Sequence, residues 1–192
     1  MKDNENKKYN RILISIMVFV FTIIAIIRIN EFLSGSTPLQ RKHAFSYFPD
    51  VIDLNENKIY GMDNTQHFIK EYNGNYTVLM FLATWCKYCA KHFPSLDEAY
   101  PILEKNNINV IPIFDKSDNK EHVVRFYQKL HIKNLQPHTT SDDAMLRKLK
   151  VNTIPYYVVI NEDGEAIGTM YPQWDSKDII SLFKELNSLA HK

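Results

Sequence analysis

Cysteine is scarce in this chain, and its scarcity narrows the possible functions. The 192 residues contain only two cysteines, Cys86 and Cys89. Two cysteines form at most one disulfide, so the chain is not a small scaffold held together by several disulfides. A zinc site built from two cysteine pairs is excluded in the same way, and no histidines show the spacing of zinc ligands. One closely spaced pair therefore indicates reactive rather than structural cysteines.

The glycine content and the net charge are also low. The chain has five glycines at scattered positions, and none forms a phosphate-binding loop. Its formal net charge is +1 at pH 7, so there is no electrostatic argument for nucleic acid as a partner. The composition favours an ordinary globular domain over a nucleotide-binding or nucleic-acid-binding protein.

Long apolar runs are absent except at residues 12–27, ILISIMVFVFTIIAII, where only two residues are polar. A helix of that length rises about 24 Å, less than the hydrocarbon core of about 30 Å, but apolar residues up to Leu33 extend it. Basic residues precede the run, which by the positive-inside rule keeps the N-terminus in the cytoplasm. We predict a cytoplasmic segment over residues 1–11 and a transmembrane anchor over residues 12–33, with the rest of the chain outside the cytoplasm.

Two other interpretations of this run stay open. A cleaved signal peptide would end at the small residues Ser34-Gly35-Ser36, although the run is long for one. A helix buried in a soluble core would be apolar on one stripe, whereas this run is apolar on all sides. Residues 34–47 are polar and mixed, which indicates a linker, and residues 48–192 are predicted to be the globular domain.

Strands and helices alternate along this domain. Continuous apolar runs predict buried strands at residues 76–82, 108–114 and 156–160, the last followed by a turn and a hairpin partner at residues 166–170. Helical spacing predicts one helix after the first strand and another over residues 119–130. A short helix capped by Ser141 and a last helix opening at Asp175 complete the pattern. The order βαβα(α)ββα predicts an α/β fold.

The N-terminal part of the domain gives weaker signals. A short hairpin is predicted over residues 48–60, with its turn at residues 55–57. Asp63 or Asn64 is predicted to cap a short helix running to Tyr72.

The motif Trp85-Cys86-Lys87-Tyr88-Cys89 stands where a buried strand passes into a helix. Unpaired N–H groups and the helix dipole favour an anion there, so the position lowers the pKa of Cys86 and favours its thiolate, the nucleophilic form. Lys87 adds a positive charge. Cys89 lies one turn further on, where it can attack a mixed disulfide formed at Cys86.

Other chemistries for this pair were weighed. Haem attachment requires histidine after the second cysteine, where this chain has Ala90. A Cu(I) carrier stays open because two thiolates suit a soft metal. Redox exchange is the favoured interpretation, with no metal and no cofactor.

Three segments resemble those of thioredoxin-fold proteins. FLATWCKYCAKHFPSL resembles their active-site segment, TIPYYVVINEDGEAIG resembles their cis-proline loop, and Pro94 matches the proline of their active-site helix. The single N-terminal anchor and the long segment between residues 114 and 156 resemble the membrane-anchored TlpA/ResA/DsbE group. The resemblance covers roughly residues 45–190. It implies a thioredoxin-like α/β fold, with a central mixed sheet flanked by helices.

The resemblance also implies a site and a function. Pro155 would be cis and lie against the cysteines, and the Ile154 backbone would pair with a substrate peptide as an added strand. The function would be thiol–disulfide exchange with exported client proteins that carry disulfides or dithiols. The group implies a single-pass protein of the bacterial inner membrane whose catalytic domain faces the periplasm. It would act as a reductase recharged by a membrane thiol donor of the DsbD/CcdA type, with cytochrome c maturation as one candidate process.

Rival functions are a disulfide-introducing oxidase, a non-enzymatic Cu(I)-binding module and a folding chaperone. Departures from the sequence pattern of the group bear on the oxidase alternative. His92 stands where the group has glutamate, Met80 stands where thioredoxin has a buried aspartate, and Lys87-Tyr88 lacks the proline common in the group's reductases. These changes leave the direction of electron flow open.

Further expectations concern His92, the two tryptophans and the remaining histidines. We expect His92 to tune the rate and the reduction potential of the site. The alternative interpretation is an ordinary solvated position on the helix. Trp85 is expected to pack beside the site and to help dock partners, and Trp174 to pack in the core or a loop. The remaining histidines form no spaced cluster and are predicted to be surface residues: His43, His67, His122, His131, His138 and His191.

Overall fold

The structure is a computed structural model that describes residues 17–18, 20–23, 45–170 and 181–184. Residues 17–18 and 20–23 are helical and exposed. Among the described residues, no helix combines the length and apolar character needed to cross a membrane. Most of the predicted anchor lies outside the described residues, as do residues 34–44 of the linker, Trp174 and the helix start predicted at Asp175.

Residues 45–170 form one mixed sheet of eight strands in the order β1-β8-β7-β4-β5-β6-β2-β3. Strand β4 runs parallel to β5, and β5 runs parallel to β6, whereas every other neighbouring pair in this sheet is antiparallel. The strands are β1 (Phe45–Asp53), β2 (Lys58–Gly61), β3 (Gln66–Phe68), β4 (Tyr76–Leu82), β5 (Ile108–Phe114), β6 (His138–Thr139), β7 (Tyr156–Asn161) and β8 (Glu165–Met170).

Three α-helices lie within residues 45–170, namely α1 (Lys87–Lys105), α2 (Lys120–Leu130) and α3 (Asp143–Lys148), along with a 3₁₀ helix at Ile69–Tyr72. Asn119 caps α2, because its side-chain oxygen accepts from the His122 N–H at 2.9 Å. The cap predicted at Ser141 is wrong by one residue. Asp142 caps α3 instead, accepting from the Met145 N–H at 2.9 Å.

Strand β4 is buried along its whole length because helices cover both faces of the sheet. On one face Val78 and Leu82 pack in the cluster that contains the apolar side chains of α1 and α2. On the other face Leu79 and Phe81 pack with α3. A strand buried on both faces has a continuous apolar sequence, which is why it was recognisable. The predicted mixed sheet flanked by helices is confirmed.

The predicted hairpin over residues 48–60 is wrong. Strand β1 pairs with β8, and β2 pairs with β3 and β6. The turn between β1 and β2 exists, but it is tied to the β7–β8 turn: Leu54 N–H donates to Gly164 C=O at 3.0 Å, and the Asn55 side chain donates to Asp163 C=O at 2.7 Å. The two strands diverge from this turn, because β1 lies at one edge of the sheet and β2 lies beside β3 at the other edge.

The helix predicted from Asp63 or Asn64 to Tyr72 is also largely wrong. The Asp63 carboxylate accepts from the Thr65 N–H at 3.0 Å, which makes a tight turn. Strand β3 follows that turn directly, and only the last four residues before Asn73 are helical, as the 3₁₀ helix.

Candidate functional site

Cys86 and Cys89 lie at the carboxyl end of β4, where the chain turns into α1. Cys86 is the N-cap of α1, and its Sγ accepts from the Cys89 N–H at 3.1 Å. The two cysteines form a disulfide, with Cα atoms 5.2 Å apart. Cys86 keeps 6% of its surface exposed and Cys89 keeps none. Of the two sulfur-bearing residues, Cys86 is therefore the one that a partner can reach.

The start of α1 is electrostatically suited to an anion at Cys86. The helix has 19 residues and no acidic residue in its first turn. Its first residue is Lys87, which is exposed. Once the disulfide is reduced, the Cys89 N–H and the helix dipole favour the thiolate of Cys86 over its thiol.

A buried carboxylate braces the loop that leads to Cys86. Asp118 is 8% exposed and accepts from the Thr84 N–H at 2.8 Å and from the Thr84 hydroxyl. The Cys86 N–H donates to Ala83 C=O at 3.1 Å, so the turn is fixed from both sides. Asp118 was not among the residues predicted for the site. A signal was present, since Asp118 follows β5 and the carboxyl ends of parallel neighbours meet at one edge of a sheet.

Pro155 and Ile154 lie at the same end of the sheet as the cysteines. They precede β7, in which Tyr156 pairs with Phe81 of β4. The Ile154–Pro155 peptide bond is cis. Pro155 is buried and Ile154 half-buried. Within the described part of the chain, the Ile154 backbone has no hydrogen-bonding partner.

Two exposed aromatic residues stand beside the cysteine pair. Trp85 is 64% exposed and Tyr88 is 67% exposed. The Trp85 ring N–H donates to the Ser117 hydroxyl at 3.3 Å, which holds the indole at the surface. This placement leaves the indole available to a partner, which fits the docking role expected of Trp85.

Trp85 separates two grooves. One, about 420 Å³ in volume, lies between Trp85 and Ile154 and carries Lys116 at its rim; we call it the Lys116 groove. The other, about 480 Å³, lies between Trp85 and α2 and is lined by Arg125 and Lys129; we call it the Arg125 groove.

His92 departs from the pattern of the TlpA/ResA/DsbE group and Met80 from that of thioredoxin, and the structure describes both residues. His92 is half-buried on α1, three residues after Cys89, and no described residue hydrogen-bonds to its side chain. Met80 is fully buried in β4, between Pro112 of β5 and Tyr157 of β7. The buried aspartate of thioredoxin is therefore replaced by an apolar contact.

The prediction that His138 is a surface residue is wrong. His138 lies in β6 with 6% of its surface exposed, and its Nε2 lies 2.9 Å from the Tyr72 hydroxyl. The His67 ring is 6.1 Å away, centre to centre. Burial, and secondarily His67, lowers the pKa of His138 to about 4. Within the residues that the structure describes, no three or more potential metal ligands come together.

Comparison with known proteins bears on this site. Residues 73–166 match the family model described as thioredoxin-like. The thiol-disulfide oxidoreductase ResA of Geobacillus kaustophilus is 26% identical over 100 residues, which cover 52% of this chain and 56% of ResA. The chain thus spans little more than half the length of the curated relatives it matches.

Solved structures share the fold. A pneumococcal exposed lipoprotein thioredoxin from Streptococcus pneumoniae has a TM-score of 0.57 at 22% identity, covering 73% of this chain and 99% of that one. A secreted disulfide oxidoreductase of Mycobacterium tuberculosis, homologous to DsbE of E. coli, has a TM-score of 0.54 at 17% identity, covering 65% of this chain and 91% of that one. At these identities the likeness concerns the fold alone.

Proposed function

We propose that this chain belongs to the thioredoxin-fold family that includes TlpA, ResA and DsbE, and that it catalyses thiol–disulfide exchange through Cys86 and Cys89. One observation carries the proposal: Cys86 caps α1, with its sulfur accepting an N–H of that helix, while Cys89 lies fully buried behind it. This arrangement provides one reachable nucleophile and one sheltered resolving thiol.

The exchange proceeds in two displacements. The Cys86 thiolate attacks a client disulfide, forms a mixed disulfide and expels the first client thiolate. The Cys89 thiolate then attacks Sγ of Cys86, which restores the Cys86–Cys89 disulfide and expels the second client thiolate. The client gains two electrons and two protons, and the protein loses both. A dithiol donor must reduce the protein before the next turnover.

The proposed clients and direction are those that the family resemblance implies. We assign the reductase direction with exported proteins as clients, outside the cytoplasm, and a membrane dithiol as donor. The free backbone of Ile154, next to Pro155 and the cysteines, supports pairing with an extended client segment. Cytochrome c maturation is one process in which such a reductase would serve.

The test is disulfide reduction by the full-length protein. With dithiothreitol as donor, the protein is expected to accelerate insulin reduction well above the donor alone. Its reduction potential then sets the direction, since about −270 mV corresponds to a thioredoxin-like reductant and about −120 mV to a strong oxidant. Failure to accelerate insulin reduction, together with bound copper after purification, would replace the proposal with a Cu(I)-binding module.

Topology gives a separate prediction. A reporter fused to the C-terminus is expected on the outer side of the membrane, with the protein in the membrane fraction, because basic residues precede the apolar run at residues 12–27. N-terminal sequencing of the mature protein checks the alternative. A soluble form beginning near Ser36 or Thr37 would show that the run is a cleaved signal.

His92 is predicted to assist the resolving step. It lies three residues after Cys89 on α1, on nearly the same face, and a histidine can accept a proton near neutral pH. His92→Ala is expected to slow release of the mixed disulfide by about a hundredfold at pH 7, the low end of the roughly 10²–10⁴-fold range usual for general base catalysis.

The matched variant for this prediction is His92→Glu, which supplies a different proton acceptor at the same position. It should restore much of the rate and shift the reduction potential downward, because it places a negative charge near the cysteine pair. Turnover and potential are measured for the three proteins at pH 7. Equal values for all three would mean that His92 is an ordinary helix residue.

A further inference from the structure

The Lys116 groove continues past Ile154 into a second depression at α3. This depression, about 410 Å³ in volume, shares Lys116 and Leu146 with the groove and adds Arg147 and Lys150. The floor next to the cysteine pair is apolar and includes Ile113 and Leu146. An apolar floor beside the reactive disulfide thus leads to a cationic end at α3.

The cationic charge at this end is only partly neutralised. Lys116 Nζ lies 3.5 Å from Asp143 Oδ1, but the two side chains are 72% and 58% exposed, so the attraction is weak. A second carboxylate, Asp115, lines the groove. Among the described residues, Arg147 and Lys150 take part in no ion pair. An anionic partner would therefore find unpaired cations here.

We propose that the Lys116 groove selects client segments that carry an apolar side chain beside the reactive cysteine and acidic side chains further along. The proposal rests on the exchange function proposed above and names its substrate class. A segment paired with the free Ile154 backbone would send alternate side chains toward the groove. The apolar side chain would lie on the floor, and the acidic ones would meet Lys116, Arg147 and Lys150.

The Arg125 groove offers a matched control on the other side of Trp85. It is also cationic, with Arg125 and Lys129 among its lining residues. It does not include Ile154 or the cis-proline loop. A client aligned on Ile154 would therefore bypass it, whereas a general attraction of acidic peptides to this end of the molecule would involve both grooves.

The test uses short peptides in which one cysteine is linked by a disulfide to 2-thiopyridine, whose release is followed by absorbance. All peptides have leucine beside the cysteine. Two series are made, one with two further residues on the N-terminal side of the leucine and cysteine and one with them on the C-terminal side; in each series these two residues are aspartates, asparagines or lysines. In one of the two series, the reduced full-length protein is expected to react at least about fivefold faster with the aspartate peptide than with the lysine peptide. This preference should shrink as salt is raised.

Two charge reversals then locate the preference. Lys116→Glu is expected to reduce the ratio of aspartate to lysine rates to near one, because it changes the net charge of the groove by two units. Lys129→Glu makes the same charge change in the Arg125 groove and should leave the ratio largely intact. Both side chains are exposed, so both variants are expected to fold.

The outcomes separate this inference from the proposed function. If the reduced protein reacts with the asparagine peptide and with dipyridyl disulfide no faster than glutathione does, the exchange function itself fails. If it reacts rapidly with both but treats aspartate and lysine peptides alike, only the groove assignment fails. Equal effects of the two charge reversals would also overturn the groove assignment. They would indicate a general attraction of acidic peptides to this end of the molecule. Peptide rate constants that fall as the protein concentration rises would show that a second copy of the chain occupies the groove.

Discussion

Cys86→Ala is expected to abolish disulfide exchange completely, leaving only the rate of the thiol donor itself. Cys86 is the member of the pair with residual exposure, and its sulfur caps α1. Its removal takes away the only nucleophile that a client disulfide can reach, and Cys89, with none of its surface exposed, cannot substitute for it. Insulin reduction by the variant, measured beside the wild-type protein, checks the loss.

Cys89→Ala is expected to have a different effect, which distinguishes the two roles. Cys86 can still attack, but nothing displaces the client from the mixed disulfide, so client adducts should accumulate. They are detected as bands on non-reducing gels that disappear on reduction, and mass spectrometry identifies the linked cysteine. The double variant is the control for non-specific adducts. Adducts with Cys86→Ala but none with Cys89→Ala would reverse the assignment of nucleophile and resolving thiol.

The central elements of the fold were predictable because their signals are local. Strand β4 was predicted at residues 76–82 and β5 at residues 108–114, with the bounds that the structure shows. A strand buried on both faces is apolar throughout, so its extent can be predicted from the sequence. The β7–β8 hairpin followed from the turn at residues 161–164, where Gly164 adopts a φ of +80° that favours glycine.

The outer strands were not predictable, because their partners are remote in sequence. Strand β6 has two residues, too few for a periodic pattern, and its pairing with β2 depends on the whole sheet. Strand β1 pairs with β8, more than 100 residues later, and its side chains are mostly exposed. A turn signal at residues 55–57 shows where the chain bends but not which strand it meets.

The reactive part of the site was predictable and its surroundings were not. A pair of cysteines with two residues between them, at a junction of strand and helix, indicates its chemistry from local sequence alone. The brace from Asp118 to Thr84 spans 34 residues. The cations of the Lys116 groove and of the adjoining depression come from the loop after β5 and from the end of α3 and the residues after it. Histidine has no strong preference for the interior or the surface, so His138 could be assigned only from the packing of β6 against the 3₁₀ helix and β3.

Acidification is expected to weaken the fold through His138. The ring is buried with its Nε2 at the Tyr72 hydroxyl, and it faces His67, which is itself paired with Glu71 at 3.1 Å. Burial lowers the pKa of His138 from the ordinary 6.5 to about 4. The unfolded chain therefore binds the proton more readily between these values, so stability is complete above about pH 6.5 and falls as the pH drops toward 4. Between pH 7 and pH 4.5 this histidine should cost about 2.5 kcal/mol of unfolding free energy.

Urea unfolding at pH 7 and at pH 4.5 measures this cost. His138→Gln keeps a neutral hydrogen-bonding partner for Tyr72 that does not titrate, and the drop in unfolding free energy should shrink by about 2.5 kcal/mol in this variant. His122→Gln is the control, because His122 is exposed on α2 and its replacement should leave the wild-type drop unchanged. The lowered pKa values of Glu71, Asp63 and Asp142 change the stability of the wild type and of His138→Gln alike, so they cancel in the comparison of the two proteins. Parallel losses in the wild type and His138→Gln would show that the ring accepts its proton without leaving the sheet.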